Sequence, residues 1–440
     1  MTTLGVLESS FIETQTQPYC DLFRDARLYR SFQAALGGIL ASGSTRLSQM
    51  ARAAPGTGAA PHAERRLRRL IHHEHQRADL RPETLEDRLT TLGAQRLAGQ
   101  DEVVVVMDGS DLRKPHSQAL EHLSTVRSLD GHPVSGYPTL NAIGLTPDGH
   151  LALLYHTLYS PQAPGFTSAN TVIIDAIKRI VQALRAAGVG RMIFVLDRGF
   201  DDLKLIRLLV QLKVQFVIRV KHDQRTTRLT PTSIELPLVD AAGHASVQDQ
   251  FELKRPVVTD GKVKWRKTPA QVRSREVFID GGRLKLNVVK LEFSVPLKNG
   301  QEQGWLLLTN TVLSTTAPGA VVRLYLQRWS IEEVFSWTKS ALGWEQVQVL
   351  DFDAFRTLVA LAWIAASFVF DLGESLDSPQ LQLLAHLGGY IPHKNRPPGK
   401  KILLLGLLRL ANAYLVAHAQ PKDALPDHVD TLLHSLFARR

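Results

Sequence analysis

The sequence predicts an α/β protein whose core is interrupted by an antiparallel β insertion and flanked by helical N- and C-terminal regions. Three observations lead there. Two continuous apolar runs, at 103–107 and 192–196, each end in an aspartate, and a helical pattern lies between them. Such runs are the mark of strands buried on both faces. Residues 221–315 switch to alternating polar and apolar stretches between turn residues, the pattern of antiparallel strands. Both ends of the chain carry apolar residues at helical spacing.

Composition narrows the function classes. A chain of 440 residues with 44% hydrophobic content can build two or three parts with sizeable cores. Lys and Arg total 52 against 42 Asp and Glu, a formal charge of +10. That balance favours a polyanionic partner, nucleic acid first. Cys20 is the only cysteine, so an intrachain disulfide and a thiolate zinc site are excluded. A reducing cytoplasm is the expected compartment. The first residues are polar and acidic where a signal peptide needs an apolar run. The longest apolar stretch, 358–370, reads as a buried helix too short to span a bilayer, so no membrane partner is expected.

Taken in order, residues 1–95 read as a helical DNA-binding region. A helix over 28–40 is stopped at Gly43-Ser44-Thr45, which can cap the next, running to about 54. Residues 53–61, rich in Ala, Pro and Gly, read as a loop. Arg65, Arg68, Arg69 and His72 then recur at helical spacing opposite Leu67, Leu70 and Ile71. That basic stripe suits a DNA-reading helix or simply a solvated one.

The run at 103–107 ends in Asp108-Gly109-Ser110-Asp111, a carboxylate at the carboxyl end of a strand, where open α/β sheets place their chemistry. Residues 140–145 and 151–158, joined by Pro147-Asp148-Gly149, read as a hairpin. A helix over 168–187 leads to the strand 192–196, which ends in Asp197-Arg198-Gly199-Phe200-Asp201. A helix over 202–212 and a strand over 216–220 follow. Within the β insertion, strands at 284–293 and 305–309 are set off by Asp280-Gly281-Gly282 and Asn299-Gly300. The organisation is therefore a catalytic core formed by 96–220 and 316–350, an insertion at 221–315, and a helical region at 351–440 as a candidate dimerisation surface. That last region is interrupted over 391–401 by three prolines and five basic side chains, His393 counted among them.

Residues 325–339 read as one amphipathic helix. At about 100° per residue, Arg328, Glu332 and Lys339 fall roughly 60°, 20° and 40° to one side of Tyr325. An aromatic hydroxyl, two cations and a carboxylate thus share one stripe, while Leu324, Ile331, Val334, Phe335, Trp337 and Leu342 face a core. With Asp108 and Asp197, Glu332 completes a set of three carboxylates from two strands and a helix. Such a set can hold two divalent cations for in-line attack on a phosphodiester. All-oxygen donors suit Mg²⁺ or Mn²⁺. Taken singly, each aspartate also suits a strand-end turn. Trp305 also suits a strand core, and the stripe also suits a solvated helix face.

These residues resemble the bacterial cut-and-paste insertion-sequence transposases of the DDE superfamily, in the branch with a Tyr-x2-Arg-x3-Glu-x6-Lys signature. Tyr325, Arg328, Glu332 and Lys339 match it at every spacing. Asp108 follows an apolar strand as the family's first acid does, and Asp197-Arg198 opens the motif of the second. Many relatives continue Asp-Arg-Glu-Ala-Asp where this chain has Asp-Arg-Gly-Phe-Asp, which leaves Asp201 without an implied role. Trp305-Leu-Leu-Leu-Thr309 matches a tryptophan near the end of the family's β insertion. The likeness covers roughly 100–345.

The resemblance implies a ribonuclease-H-like catalytic core. Asp108, Asp197 and Glu332 would bind two Mg²⁺ or Mn²⁺ ions, Tyr325, Arg328 and Lys339 would hold phosphates, and Trp305 would stack on a flipped base while a DNA hairpin forms. It implies double-stranded DNA partners, namely transposon-end inverted repeats and target DNA. A homodimer in the synaptic complex and a nucleoid-associated place in the bacterial cytoplasm are also implied. Two other readings stay open at this point: a Mg²⁺-dependent phosphohydrolase around 103–111, and a non-catalytic DNA-binding relic of a transposase. His72, His73 and His75 read as a basic helix end rather than a metal site, and His116, His122 and His132 lie in a polar loop without a spacing argument. Trp329, Trp337 and Trp344 are expected to serve packing.

Overall fold

The sheet grows outward from the apolar run at 103–107. That run opens β1 (Glu102–Arg113), which pairs antiparallel with β3 (Pro133–Leu145) on one edge and parallel with β5 (Arg191–Leu196) on the other. The computed structural model describes residues 11–419 apart from 54–59, 73–80, 129, 260–261, 294–303, 314–315, 377 and 392–397. It gives the backbone alone at 255–259, 262–265, 373–375 and 411–419. His73, His75, the Asn299-Gly300 turn, most of the 53–61 loop and much of 391–401 lie outside the described residues.

Beyond β3 lie β2 (Ser124–Arg127) and β4 (Leu151–Leu158), and beyond β5 lies β6 (Gln215–Arg219), again parallel. The order β4-β3-β1-β5-β6 makes a mixed α/β sheet, consistent with the ribonuclease-H-like core that the resemblance implies. The sheet does not stop there. β12 (Gly304–Thr309) pairs antiparallel with β6, and β11 (Leu284–Phe293), β10 (Lys262–Ile279) and β9 (Val247–Thr259) follow. The strands between 247 and 309 therefore extend the core sheet, rather than forming a separate sheet of their own. A small ribbon of β7 (Thr226–Thr227) and β8 (Leu236–Pro237) stands beside them.

Helices cover both faces. On one lie α6 (Ala169–Ala186), α7 (Leu203–Gln211) and α8 (Leu238–Gly243), packed on Val103, Val105, Met107, Phe194 and Leu196. The other face carries the N-terminal helices α1 (Glu13–Thr16), α2 (Ala26–Ser42), α3 (Leu47–Ala53), α4 (Ala60–Ile71) and α5 (Pro82–Arg96). It also carries α9 (Pro318–Leu326), α10 (Trp329–Ala341) and α11 (Phe352–Ser375), followed in the chain by α12 (Ser378–Leu387) and α13 (Lys400–Ala419). One apolar core runs from Ile12 through Val104 and Val106 to Leu404, so both helical ends share it with the sheet.

Close approaches tie these layers. A Cβ on Gly93 would meet the Leu153 carbonyl oxygen at 2.2 Å, so α5 rests on β4 with no room for a side chain. Gly43 ends α2 at φ 60° and lies against the Ala341 carbonyl at the end of α10. From the same turn, Thr45 Oγ1 donates to the Gly343 carbonyl at 2.7 Å and Ser44 Oγ to Gln346 Oε1 at 2.9 Å. The turn after α2 is thus bonded to the turn after α10.

Four expectations need correction. β1 does not end at Asp108 but continues to Arg113, because the antiparallel ladder with β3 supplies partners through Asp108, Gly109 and Asp111. Tertiary pairing here overrides the low strand preference of those residues. Residues 325–339 are not one helix. Backbone hydrogen bonds from Gln327 to Leu324, Arg328 to Tyr325 and Ser330 to Gln327 tighten the chain into a turn between α9 and α10. The run at 358–370 belongs to α11, whose segment Phe352–Leu372 is long and apolar enough to cross a membrane. It is 89% buried within the protein, so burial rather than length explains its composition. Of the tryptophans expected in packing roles, Trp344 is fully buried and Trp337 meets Phe370 edge-on, but Trp329 is exposed.

A buried charge joins α5 to α11. Glu86 accepts from Thr157 Oγ1 at 3.1 Å and faces Arg356 Nη2 at 3.6 Å. Burial pushes its carboxyl up to about 8; Arg356 pulls it down and Glu83 adds to the rise. The folded state therefore prefers the protonated acid, and stability falls as pH rises from about 4.5 towards about 8. Glu86→Gln is expected to stabilise the protein by ~2–4 kcal/mol at pH 8.5, with most of the gain gone by pH 5. Melting curves at the two pH values check this; equal gains at both would refute the assignment.

Candidate active site

Alternation along the strands decides which acids meet. Val104 and Val106 lie in the core of the α9–α10 face, so Asp108, two residues on, points to that face. Ile193 and Val195 lie in the same core, which places Asp197 likewise. The parallel register runs to Met107↔Leu196. One step further sets Asp108 beside Asp197, about 4.8 Å apart between backbones. Both face the layer that carries Glu332.

Arg328, in the turn between α9 and α10, bridges this layer to the sheet. Its Nη1 lies 3.1 Å from Asp108 Oδ2 and its Nη2 lies 2.5 Å from Glu332 Oε1. The Gly109 N–H donates to Asp108 Oδ1 at 2.8 Å. Burial pushes the Asp108 carboxyl up to about 6; Arg328 opposes this, while Asp197 and Glu332 add to it. The charges of Asp197 and Glu332 are therefore both felt at Asp108. Burial would lower the Arg328 guanidinium, but Glu332, Tyr325 and Asp108 outweigh it and hold it above its ordinary value.

Tyr325, on α9 and 1% exposed, donates to Asp197 Oδ1 at 3.3 Å. Burial, and then the Asp197 charge, push its phenol up to about 12, so it keeps its proton at neutral pH. On the two sides of the turn at 327–328, Tyr325 reaches Asp197 and Arg328 reaches Asp108. Trp305 on β12 is half-buried and meets Tyr325 edge-on at 5.5 Å.

Arg219, which the sequence did not single out, joins this group. The β5–β6 register ends at Leu196↔Ile218, so Arg219 stands beside Asp197. Its guanidinium lies over the Trp305 ring at 5.8 Å and bonds to Tyr325. The signal was a lone cation closing an apolar strand next to an aspartate-terminated one.

Lys339 lies further along α10. Its Nζ donates to the Asp111 carbonyl at 3.3 Å and lies 3.3 Å from Glu345 Oε1. The remaining expected residues stand apart. Arg65, Arg68 and Arg69 are exposed on α4, which packs on α2, α3 and α11, and Arg68 pairs with Glu64 at 2.7 Å. His72 is half-buried at the end of α4, His116 and His132 are exposed, and His122 meets Phe352 edge-on.

The donor set suits a hard divalent cation. Its ligating atoms are all carboxylate oxygens, and the repulsion from Asp197 and Glu332, which adds to the rise that burial gives Asp108, is what such a cation would relieve. As the side chains stand, no three of these acids close on one point among the described residues. Arg328 lies between two of them and does part of a cation's work.

One comparison with known proteins bears on this arrangement. The family model of the transposase DDE domain matches residues 99–368, more than half of the chain. The match takes in β1 with Asp108, β5 with Asp197, the strands to β12, and α10 with Glu332. The chain belongs to the transposase DDE domain family.

Proposed function

We propose that this transposase is the cut-and-paste enzyme of a bacterial insertion sequence, of the branch marked by Tyr325, Arg328, Glu332 and Lys339. Asp108, Asp197 and Glu332 are assigned as the catalytic carboxylates, binding Mg²⁺ or Mn²⁺, with two ions per site. The observation that carries this is the meeting of Asp108 and Asp197 on one sheet face beneath the helix of Glu332, with Arg328 bridging.

The reaction is a series of in-line phosphoryl transfers. Water attacks a phosphorus at the transposon end, the P–O3′ bond breaks, and a 3′-hydroxyl is freed. That hydroxyl attacks the opposite strand, breaking a second P–O bond and closing a hairpin. Water attacks the hairpin phosphorus and breaks its P–O3′ bond, and the restored 3′-hydroxyl attacks a target phosphorus, whose own P–O3′ bond breaks. When bound, the ions supply the positive charge that favours deprotonation of the attacking group and stabilises the leaving oxygen.

The chain's own residues position the substrate. Arg328 and Lys339 offer charged donors to the phosphates beside the cut. Tyr325 keeps its proton and holds the Asp197 carboxylate in place. Trp305, with Arg219 over its ring, offers a stacking surface for an extruded base, worth about 1–3 kcal/mol.

Residues 1–95, with Arg65, Arg68 and Arg69, are proposed to hold transposon-end DNA. Residues 351–440 are proposed as the surface that joins two copies on paired ends. The enzyme would work at the nucleoid in the cytoplasm.

A duplex carrying the inverted repeat that flanks the coding region tests the reading. With Mg²⁺ or Mn²⁺ the purified protein is expected to nick it at the repeat boundary, and Asp108→Ala to bind it without nicking. Equal nicking by both proteins would sink the carboxylate assignment. Full activity of Glu332→Gln on a small phosphoester would favour a phosphohydrolase instead.

A further inference from the structure

Asp201 closes the segment that begins at Asp197, and its side chain is 0% exposed. A carboxylate taken wholly out of water must be paired and hydrogen-bonded. Asp201 spends its capacity on one neighbouring segment. Oδ2 accepts from the backbone N–H of Lys221 at 2.8 Å and of His222 at 3.0 Å. Oδ1 lies 2.6 Å from Arg225 Nη2.

Those bonds lie where the sheet's own support ends. The β5–β6 ladder stops at Leu196↔Ile218, so Asp197 and Arg219 both lie one residue past it. The exit from β6 is still held on its far side: Arg219 pairs with Leu307, and Val220 N donates to the Leu306 carbonyl at 2.8 Å. The exit from β5 runs instead into a single tight turn, in which Phe200 N bonds the Asp197 carbonyl and Asp201 N bonds the Arg198 carbonyl. Asp201 then fastens that turn to the β6 exit.

We propose that Asp201, with Arg225, is a positioning residue. It fixes the Asp197 carboxylate at the spacing from Asp108 that a shared divalent cation requires. This rests on the carboxylate assignment made above. Asp201 acts through the backbone of 197–201: Oδ2 is taken by the Lys221 and His222 N–H groups, and Oδ1 is ion-paired with Arg225.

The test is Mn²⁺ binding by the full-length protein, followed by electron paramagnetic resonance well below the melting temperature. Asp201→Asn keeps the size and an acceptor but turns an amide towards Arg225. Arg225→Gln leaves Asp201 and both backbone bonds in place. Both are expected to weaken Mn²⁺ binding by about tenfold, the low end of what loss of a supporting partner costs a metal site.

Glu276→Gln removes the exposed Lys285 pair between β10 and β11, which is 2.9 Å long, and should leave Mn²⁺ affinity unchanged. A purely structural role for Asp201 would lower the melting temperature and leave affinity at the wild-type level, and that result overturns the proposal. If Asp201→Asn does not fold, Arg225→Gln decides alone. If the wild type itself binds no Mn²⁺, or Asp197→Asn binds it equally well, the carboxylate assignment fails first and the proposal with it. Tight wild-type binding with unaltered variants removes the positioning role only.

Discussion

Glu332→Gln is expected to reduce metal-dependent DNA cleavage by at least about 10³-fold, the scale of removing a catalytic electrostatic group. Glu333→Gln should cleave at the wild-type rate. The two residues are neighbours in α10, yet helix geometry turns them about 100° apart. Glu332 faces Arg328 at 2.5 Å, whereas Glu333 is exposed. Glutamine keeps the size and helix preference of glutamate and removes the charge, so a global folding defect is not expected. Single-turnover cleavage, with DNA retention measured in the absence of metal, separates the effects. Loss of cleavage with retention intact is the predicted outcome. A Glu332→Gln protein that cleaves normally, or a Glu333→Gln protein that does not, would remove Glu332 from the site.

Arg328→Ala should separate two properties that normally move together. The guanidinium pairs with both Asp108 and Glu332, and its buried Nε has no hydrogen-bond partner. It therefore competes with any cation for the same oxygens, while one of its own donors stays unsatisfied. Without it, Mn²⁺ should bind the DNA-free protein more tightly, by about tenfold if the charge pair is worth little more than 1 kcal/mol. Cleavage should nevertheless fall by about 10²-fold, because a charged phosphate contact is lost. Weaker Mn²⁺ binding in Arg328→Ala would show that the arginine assembles the carboxylates instead of competing for them. Arg328→Lys is not a neutral control, since a point charge cannot span two carboxylates as a planar fork does.

Much of this site was legible because burial writes itself into sequence. The runs before Asp108 and Asp197 had to be apolar to form β1 and β5 in the middle of a covered sheet. The spacing from Tyr325 to Lys339 put the functional groups in order along the chain, though not on one helix. The turn at 327–328 was invisible because its bonds shift from i→i+4 to i→i+3 without any glycine or proline to announce it. Arg219 was missed for a related reason. Its importance comes from which strand lies next to β6, and pairing order is a long-range property that local patterns do not carry. The extension of β1 past Asp108 depends in the same way on β3. The continuity of β9–β12 with the core was hidden because an antiparallel strand reads alike whether it begins a new sheet or lengthens an old one.

That continuity makes the sheet a caliper. Trp305 lies on β12 and Asp197 one residue past β5, two strands separated only by β6, whose ladders run to Leu307↔Arg219 and Leu196↔Ile218. Their separation across the sheet is two strand spacings, about 10 Å. Such a gauge cannot stretch to suit the DNA. A base stacked on Trp305 and a phosphate reacting beside Asp197 would therefore be offset by a fixed number of nucleotides in every reaction, and the position of the cut would be dictated by backbone ladders that end one residue short of the chemistry.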